Sequence, residues 1–215
     1  MAATGSKIST FNKENFYGYC NILALEETIF KAILTEYGYP PFWSRQPGFE
    51  TLIHIILEQQ VSLASALAAY SKLKQKLNVI TPELLIALPD DDLKDCYFSR
   101  QKIIYAKHLA SCILSGKLVI EDLGNQNNET VSSQLQQVKG IGNWTSDVYL
   151  MMALHRTDCF PIGDIALVNS MKHELHLDKL CAKELLLSIA ENWRPYRTIA
   201  AYLLWHAYLQ KRGKN

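Results

Sequence analysis

The sequence has almost no surplus of positive charge, because its 22 Lys and Arg residues face 21 Asp and Glu residues and leave a formal net charge of +1. Binding to a polyanion through a strong global field is therefore not indicated, and any nucleic-acid contact has to use local charge or backbone N–H groups. Hydrophobic residues make up 48% and charged residues 20% of the 215 positions. This composition is ordinary for a globular protein with one sizeable core, or with two lobes that share one.

Closely spaced cysteines and long apolar runs are also missing. The five cysteines, at positions 20, 96, 112, 159 and 181, form no CxxC pair, which argues against a disulfide framework or a structural zinc site and favours a reducing compartment. The first ten residues lack the apolar core of a signal peptide, and no apolar run is long enough to cross a bilayer. We expect no membrane partner, and a location in the cytoplasm with the bacterial nucleoid, or in the nucleus of a eukaryote.

Strand patterns, repeats and low-complexity segments are absent, and helical spacing dominates. Apolar residues at Ile22, Leu25, Ile29 and Ile33 predict a helix over 21–37, which Gly38 ends. Capping residues and apolar spacing predict further helices at 49–57, 62–77, after Thr81-Pro82, from Ser99 to Gly116, 131–138, 143–156, 165–176, 179–193 with Asp178 as its cap, and from Pro195 onward. The sequence therefore predicts an all-α fold of roughly ten helices.

A short turn between two of these helices is a candidate contact for DNA. Gly140 and Gly142 permit positive φ and a close backbone approach, and Ile141 between them is able to pin the turn. Asn143 then begins a helix whose first N–H groups favour an anion such as a phosphate. Short glycine turns are also ordinary connections between helices, so the turn alone does not decide its function.

The residues that follow resemble the helix-hairpin-helix DNA glycosylase superfamily, in which the hairpin precedes a Gly/Pro-rich loop and a catalytic Asp. Here Asp164 lies 22 positions after Gly142. Three segments are similar to the 3-methyladenine DNA glycosylase II branch: Gly-Asn-Trp-Thr at 142–145, Ile-Leu-Glu-Gln-Gln-Val-Ser at 56–62, and Trp-Arg-Pro-Tyr-Arg followed by Ala-Ala-Tyr-Leu-Leu-Trp at 193–205. One departure is Val138-Lys139, where the family usually has Leu-Pro before the first glycine.

The resemblance implies a two-lobed fold with a DNA-binding cleft between the lobes. Residues 46–160 are expected to form a helical barrel that ends in the hairpin, and residues 16–45 plus 161–215 the second lobe. Asp164 would follow the crossing between the lobes. Residues 1–15 are expected to be a loose leader.

The resemblance also implies a catalytic role for Asp164. Cleavage of a glycosidic bond passes through an oxocarbenium-like state, which a carboxylate beside the sugar stabilises. Asp164 is equally suited to be only the N-cap of the next helix, and both roles are compatible. The family's bifunctional members, such as the endonuclease III branch, use a lysine just after the hairpin, where this sequence has Trp144. The iron–sulfur loop of that branch also needs four closely spaced C-terminal cysteines, where this sequence has only Cys181. We therefore expect a monofunctional base excision repair enzyme without an iron–sulfur cluster.

Alkylated purines are the expected substrates. N3- and N7-alkylated bases such as 3-methyladenine and 7-methylguanine are already cationic in DNA, so they leave the sugar readily. An aromatic pocket would bind such a base by stacking and cation–π attraction. Trp144, Tyr149 and Trp205 are the candidate walls, with Trp43 as a further candidate, and each of them is also suited to a place in the core. The resemblance favours Trp144 and Trp205, which match positions that the family places at its pocket.

A flipped base leaves a gap in the stack that a side chain has to fill. The resemblance assigns this wedge to Gln60, with Gln59 as the weaker candidate. His54, six residues before Gln60, is a candidate contact in the minor groove. The two glutamines are also suited to satisfying backbone groups at a helix end, and His54 to a structural role. A basic stretch is interpreted as a solvated helix face instead of a DNA contact; it contains Arg100, Lys102, Lys107 and His108.

The remaining expectations concern the hairpin and its partners. Its DNA contacts are expected at Lys139, Gly140, Ile141, Gly142, Asn143 and Thr145. The resemblance implies a structural Na⁺ or K⁺ on the main-chain carbonyls of Gln136, Val138 and Ile141, and no required cofactor. We expect a monomer that binds double-stranded DNA. Two alternatives remain open: a non-catalytic DNA-binding module, and a glycosylase for neutral lesions.

Overall fold

The computed structural model describes residues 8–213 and confirms the all-α prediction. Within this range there is no β-strand, and the β-type pairing is an isolated bridge between Thr10 and Arg156. A 3-10 helix covers Ile120–Asn125. The α-helices of the described range are α1 (Phe16–Glu26), α2 (Thr28–Tyr37), α3 (Phe49–Glu58), α4 (Leu63–Leu77), α5 (Pro82–Ala87), α6 (Asp90–Asp95), α7 (Arg100–Leu114), α8 (Asn128–Gln136), α9 (Asn143–Met152), α10 (Ile165–Glu174), α11 (Lys183–Glu191) and α12 (Arg197–Gly213).

The chain divides into two compact units. Unit 1 contains Arg45–Leu154, and unit 2 contains Ile8–Ser44 together with the described part of His155–Asn215. Unit 1 thus carries helices α3 to α9, and unit 2 carries α1, α2 and α10 to α12. The expected cleft between lobes stays a prediction.

Unit 1 is built around α3. Leu52, Ile53, Ile55 and Ile56 have no exposed surface, since the helix is apolar on nearly every side, as is typical of a central helix. α3 packs against α4, α7 and α9, and α7 in turn packs against α5 and α6. This arrangement brings the end of α3, the start of α7 and the hairpin before α9 into one unit.

Unit 2 is built around α12. Every residue from Thr198 to Leu204 is buried, and the small side chains of Ala200 and Ala201 allow neighbouring helices to approach closely. α12 packs against α1, α2 and α10. The start of α10, where Asp164 lies, is therefore held against a rigid core helix.

Four predicted helix starts are confirmed by their capping bonds. The side chains of Ser62, Thr81, Ser99 and Asp164 accept hydrogen bonds from the N–H groups of Ser65, Leu84, Lys102 and Leu167. Each bond satisfies one of the N–H groups that a helix leaves without a partner in its first turn.

Several helix boundaries differ from prediction by a few residues, and three of the differences have a clear local cause. The helix over 21–37 is two helices, because Glu27 has an extended backbone (φ −129°, ψ 121°) that lets α1 and α2 pack against each other. Asp178 does not cap α11; it accepts the N–H of Leu180 in a short turn, and α11 begins after Ala182. The last helix begins at Arg197 instead of Pro195, after a turn in which Tyr196 N–H bonds to Trp193 O.

The expected leader over residues 1–15 requires a correction for residues 8–15. Phe11 is only 3% exposed, its N–H bonds to His155 O, and the Thr157 N–H bonds to Ser9 O. The Phe11 ring also contacts the rings of Phe16, Phe42 and Tyr202. The burial of this single aromatic side chain anchors the segment in unit 2. Residues 1–7 lie outside the described part of the chain.

In the described residues, no helix combines the length and the apolar character that crossing a bilayer requires.

Replacing Trp193 tests the core of unit 2. Trp193 is 1% exposed and its ring meets the edges of Phe30 and Phe160 at 5.1 and 5.7 Å. Trp193→Ala should lower the free energy of unfolding by about 3–5 kcal/mol through lost burial and a cavity, measured by urea denaturation. The control Leu180→Ala, at a residue that is 94% exposed, should change it by less than about 0.5 kcal/mol. Equal effects of the two substitutions would contradict this account of the core.

Candidate functional site

The hairpin between α8 and α9 contains one position, Gly140, that only glycine can occupy without strain or a clash. Gly140 has φ +92°, and a Cβ placed on it would lie 2.1 Å from Cγ of the Tyr105 ring. The ring of Tyr105, on α7, thus packs directly against the main chain of the turn. Ile141 is 5% exposed, and its N–H bonds to Val138 O at 3.0 Å, closing the turn.

The second glycine of the hairpin has a different role from the one predicted. Gly142 has an extended backbone (φ −111°, ψ −171°), and a Cβ there would meet no atom within 4 Å. Positive φ is therefore required at Gly140 alone. Gly142 is the N-cap of α9 and offers no capping side chain, so the start of α9 combines an open approach with the N–H groups and dipole that favour an anion.

Two side chains from other helices hold the hairpin by hydrogen bonds. The Gln59 amide donates to Gly140 O at 2.8 Å and to Thr145 Oγ1 at 2.9 Å. The Lys139 N–H donates to His108 Nδ1 at 3.0 Å. Gln59 is therefore corrected from wedge to hairpin support. Thr145, which is 2% exposed, is corrected from a DNA contact to a buried partner of Gln59.

The predicted basic face on α7 is likewise structural in large part. Lys102 Nζ donates to Leu57 O at 2.6 Å, and Lys107 forms an ion pair with Asp90. Together with the bond to His108, these contacts tie α7 to the end of α3, to α6 and to the hairpin. Lys139 and Asn143 remain exposed on the hairpin itself.

Gln60 projects from the end of α3 in a conformation that presents its side chain. It is exposed and its φ is +58°, a left-handed conformation that few non-glycine residues adopt. The C-cap residue Gln59 precedes it and the N-cap residue Ser62 follows two positions later. The corner therefore displays Gln60 between two well-anchored helices, as a wedge requires.

His54 lies one turn before the end of α3 in a structural environment. Its ring stacks on Tyr70 at 4.2 Å with an interplanar angle of 9°, and its Nε2 is 3.7 Å from Glu58 Oε1. Glu58 itself receives two hydrogen bonds from Arg45 at 2.6 and 3.0 Å. Burial, together with the charge of Arg45, lowers the pKa of His54 despite the opposing Glu58 and Glu50. These contacts support the structural interpretation of His54 over a role in the minor groove.

The three carbonyls expected to hold a monovalent cation have a suitable donor chemistry. Gln136 ends α8, so its carbonyl belongs to the last turn, where intrahelical partners are missing. Val138 O accepts one hydrogen bond, from Ile141, and a carbonyl oxygen has a second lone pair. Neutral oxygens suit Na⁺ or K⁺. In the described residues, no cluster of three or more His, Cys, Asp or Glu side chains suits a metal ion.

Asp164 is held at the start of α10 by two N–H donors. Its Oδ1 accepts the Leu167 N–H at 2.8 Å and the Trp205 Nε1–H at 3.2 Å. The side chain is half-buried, between exposed Gly163 and Ile165, which is 76% exposed. A helix N-terminus favours negative charge, which suits the ionised carboxylate. The side chain of Asp164 is thus anchored and still has access to solvent.

A group of three aromatic side chains in unit 2 contacts Asp164 through Trp205. Tyr202 has no exposed surface; its hydroxyl donates to Trp43 O at 2.8 Å, and its ring contacts those of Trp43 and Trp205 at 5.4 and 5.9 Å. Trp43 and Trp205 are half-buried. Tyr202 thus positions both tryptophans, and Trp205 in turn contacts the carboxylate.

Tyr149 requires a correction as a predicted pocket wall. Its side chain has no exposed surface, its hydroxyl accepts the Gly48 N–H at 3.1 Å, and burial raises its pKa to about 12. A ring enclosed in this way packs in the core of unit 1 and offers no face to a base. Trp144, by contrast, is half-buried, and its predicted role stays a prediction.

Tyr105, His108 and Tyr202 are the supporting residues that sequence reasoning missed. Their importance depends on contacts with residues far away in the chain, namely Gly140, Lys139 and Trp43. The one signal in the sequence is the spacing of Tyr105 and His108, which places them on the same face of α7.

The two hairpin glycines offer a matched pair of substitutions. Gly140→Ala should destabilise the protein by about 2–4 kcal/mol, because it combines a left-handed backbone with a clash against the Tyr105 ring. Gly142→Ala should change stability by less than about 0.5 kcal/mol but weaken duplex DNA binding. Urea denaturation and fluorescence anisotropy with labelled duplex measure the two effects. A Gly142→Ala variant that is strongly destabilised, or a fully stable Gly140→Ala variant, would contradict the geometry.

His54 should contribute a loss of stability in acid. Because its folded-state pKa lies below the ordinary value of 6.5, the unfolded state takes up a proton first as the pH falls, and stability decreases below that pH. Between pH 7.5 and 5, the wild type should therefore lose more free energy of unfolding than His54→Gln, which lacks this titration. The half-buried His155, whose pKa is also lowered by burial, is common to both proteins. A loss that is equal or larger in the variant would refute the assignment.

Comparisons with known proteins agree with this architecture. Residues 53–195 match the model of the HhH-GPD superfamily base excision DNA repair proteins. A DNA-3-methyladenine glycosylase of Schizosaccharomyces pombe is 32% identical over 75% of this chain and 72% of its own length, and one of Bacillus subtilis is 31% identical over 73% and 56%. Another Bacillus subtilis relative is 30% identical over 84% of this chain, which spans only 66% of that protein.

Solved structures show the same likeness. A 3-methyladenine DNA glycosylase of Schizosaccharomyces pombe, in complex with abasic DNA, superposes with a TM-score of 0.82 at 29% identity, covering 87% of this chain and 95% of that one. A DNA-3-methyladenine glycosidase of Bacillus halodurans superposes with a TM-score of 0.73 at 26% identity, covering 97% and 95%. The hairpin, the anchored Asp and the matched residues together identify the chain as a member of the HhH-GPD superfamily of base excision DNA repair proteins.

Proposed function

We propose that this protein is a monofunctional DNA glycosylase, which hydrolyses the N-glycosidic bond of alkylated, cationic purines such as 3-methyladenine and 7-methylguanine in duplex DNA. The observation that carries the proposal is Asp164, a carboxylate anchored by two N–H donors at a helix start, in a family of base excision repair proteins. The relatives named above as 3-methyladenine glycosylases support the choice of substrate class.

In the proposed reaction, the bond between C1′ of the sugar and the base nitrogen breaks, and its electron pair neutralises the positive charge of the base. The base then leaves without a proton donor. Positive charge develops on the sugar, and the carboxylate of Asp164 stabilises it. A water molecule adds to C1′ and loses one proton, which Asp164 is suited to accept.

Trp205 is proposed to bind the cationic base beside Asp164. Its half-buried ring leaves surface for stacking, and cation–π attraction to an indole ring contributes about 1–2 kcal/mol. Its Nε1–H bond to Asp164 keeps the ring and the carboxylate in a fixed relation. This contact links recognition of the base to the group that acts on the sugar.

The DNA itself is proposed to be held by the hairpin and by Gln60. The open approach at Gly142 and the uncapped start of α9 suit a phosphate, and the carbonyls of Gln136, Val138 and Ile141 would hold a Na⁺ or K⁺ ion that adds positive charge there. Gln60 would fill the gap that the flipped nucleotide leaves. Such local contacts fit a chain whose net charge is only +1.

Strand cleavage is not part of the proposal. A lyase of this superfamily needs an amine nucleophile after the hairpin, and this sequence has Trp144 at that position. Lys139 lies before the two glycines instead of after them, and its main-chain N–H bonds to His108.

Asp164→Asn separates the charge of the side chain from its capping role. Asn is as good an N-cap as Asp, and its Oδ1 accepts the same two bonds, so stability should change by less than about 0.5 kcal/mol. The single-turnover release of 3-methyladenine and 7-methylguanine from methylated duplex, followed by chromatography, should fall about 100-fold or more. With the wild type, the strand should stay intact until alkali is added.

Three outcomes would contradict the proposal. Undiminished release by Asp164→Asn would remove this residue from catalysis. Strand cleavage by the wild type before alkali treatment would indicate a lyase. Absence of release from alkylated duplex, with DNA binding intact, would favour a binding module or a glycosylase for neutral lesions.

A further inference from the structure

A groove in unit 1 begins at the residue after Gln60. It encloses about 360 Å³, and its lining includes Val61, the apolar side chain of Leu57, the ring of Tyr97 and the charged side chain of Lys102. Val61 is 46% exposed and Tyr97 60% exposed. A space of this size, with an apolar wall, an aromatic ring and a cation, suits one nucleotide.

Tyr97 has a backbone conformation that favours glycine, which indicates that its side chain has a role other than stabilising the fold. Tyr97 follows α6 in a Schellman turn, in which the Phe98 N–H bonds to Leu93 O and the Tyr97 N–H to Lys94 O. This position requires a left-handed backbone, is usually Gly, and has φ +65° here. A bulky residue is strained there, and because the ring is mostly exposed, core packing does not explain its presence.

The charges around the groove favour DNA as its occupant. Of the described residues that line it, none is acidic. Lys102 Nζ lies 2.6 Å from Leu57 O, and Lys72 Nζ lies 4.6 Å from the centre of the Tyr97 ring. Lys72 lies over the Tyr97 ring, and the two cations complement a phosphate. The part of the ring that stays exposed complements the flat face of a base.

We propose that this groove receives the base that faced the lesion, once the lesion has left the stack. The inference rests on the proposed function, in which Gln60 fills the place of the flipped nucleotide. The partner base then has no pairing partner, which makes it the base that leaves the stack at the lowest cost. Val61 joins the wedge directly to the groove, so this base has only a short distance to move.

The test is a thermodynamic cycle between the protein and the DNA. Two duplexes carry a tetrahydrofuran abasic analogue opposite either thymine or a second tetrahydrofuran, and their dissociation constants are measured with the wild type and with Tyr97→Gly. The wild type should bind the duplex with thymine about fivefold more tightly or better, and Tyr97→Gly should lose at least that factor, since stacking of one base on a ring has this magnitude.

Two controls separate this role from a structural one. Because Gly suits the left-handed position, Tyr97→Gly should melt at the same temperature as the wild type or higher, while its preference for the base falls. Tyr39→Ala, at a tyrosine that is 48% exposed outside the groove, should keep the preference.

Other results would overturn the proposed base site, and they differ in what they imply for the proposed function. Equal weakening of both duplexes by Tyr97→Gly, or no change with either, would overturn the base site and leave the proposed function intact. Self-association of the wild type that Tyr97→Gly abolishes, seen by sedimentation, would overturn DNA as the occupant. A wild type that binds neither duplex would refute the proposed function and the groove together.

Discussion

The contact between Gly140 and the ring of Tyr105 is the constraint on which the hairpin depends. The left-handed backbone of Gly140 reverses the chain, and the missing side chain lets the ring lie against the turn. Gln59 and His108 then hold the carbonyl of Gly140 and the N–H of Lys139. The start of α9 is thus fixed by contacts from α3 and α7, and holding a binding group in place before its ligand arrives lowers the cost of binding.

Asp164 holds a position in which one side chain contributes to folding and is suited to the proposed chemistry. Its capping bond to Leu167 fixes the carboxylate at the start of α10, and its bond from Trp205 ties it to α12, the core helix of unit 2. A carboxylate held in this way is already oriented before positive charge develops on the sugar. Preorganised charge of this kind stabilises a transition state without a reorganisation cost during the reaction.

Local patterns in the sequence predicted the helices and their caps well, because apolar spacing and capping residues act within one or two turns. They failed where the deciding contact is distant in the chain. Tyr149 matched an aromatic wall in type, yet the Gly48 N–H and the surrounding core enclose it. Gln59 and Gln60 are neighbours of the same type, and only their contacts show that one supports the hairpin while the other is exposed. Phe11 anchors a segment that its polar surroundings in the sequence indicated to be loose.

The proposed function depends above all on the stabilisation of positive charge on the sugar by Asp164. Its most direct test compares the affinity of the protein for duplexes that contain either a cationic pyrrolidine or a neutral tetrahydrofuran in place of the deoxyribose. The wild type should bind the pyrrolidine duplex about tenfold more tightly or better, since a charged hydrogen bond or ion pair contributes about 1.5–3 kcal/mol. Asp164→Asn should lose this preference. Equal affinities of the wild type for the two duplexes, or a preference that persists in Asp164→Asn, would contradict this role of Asp164.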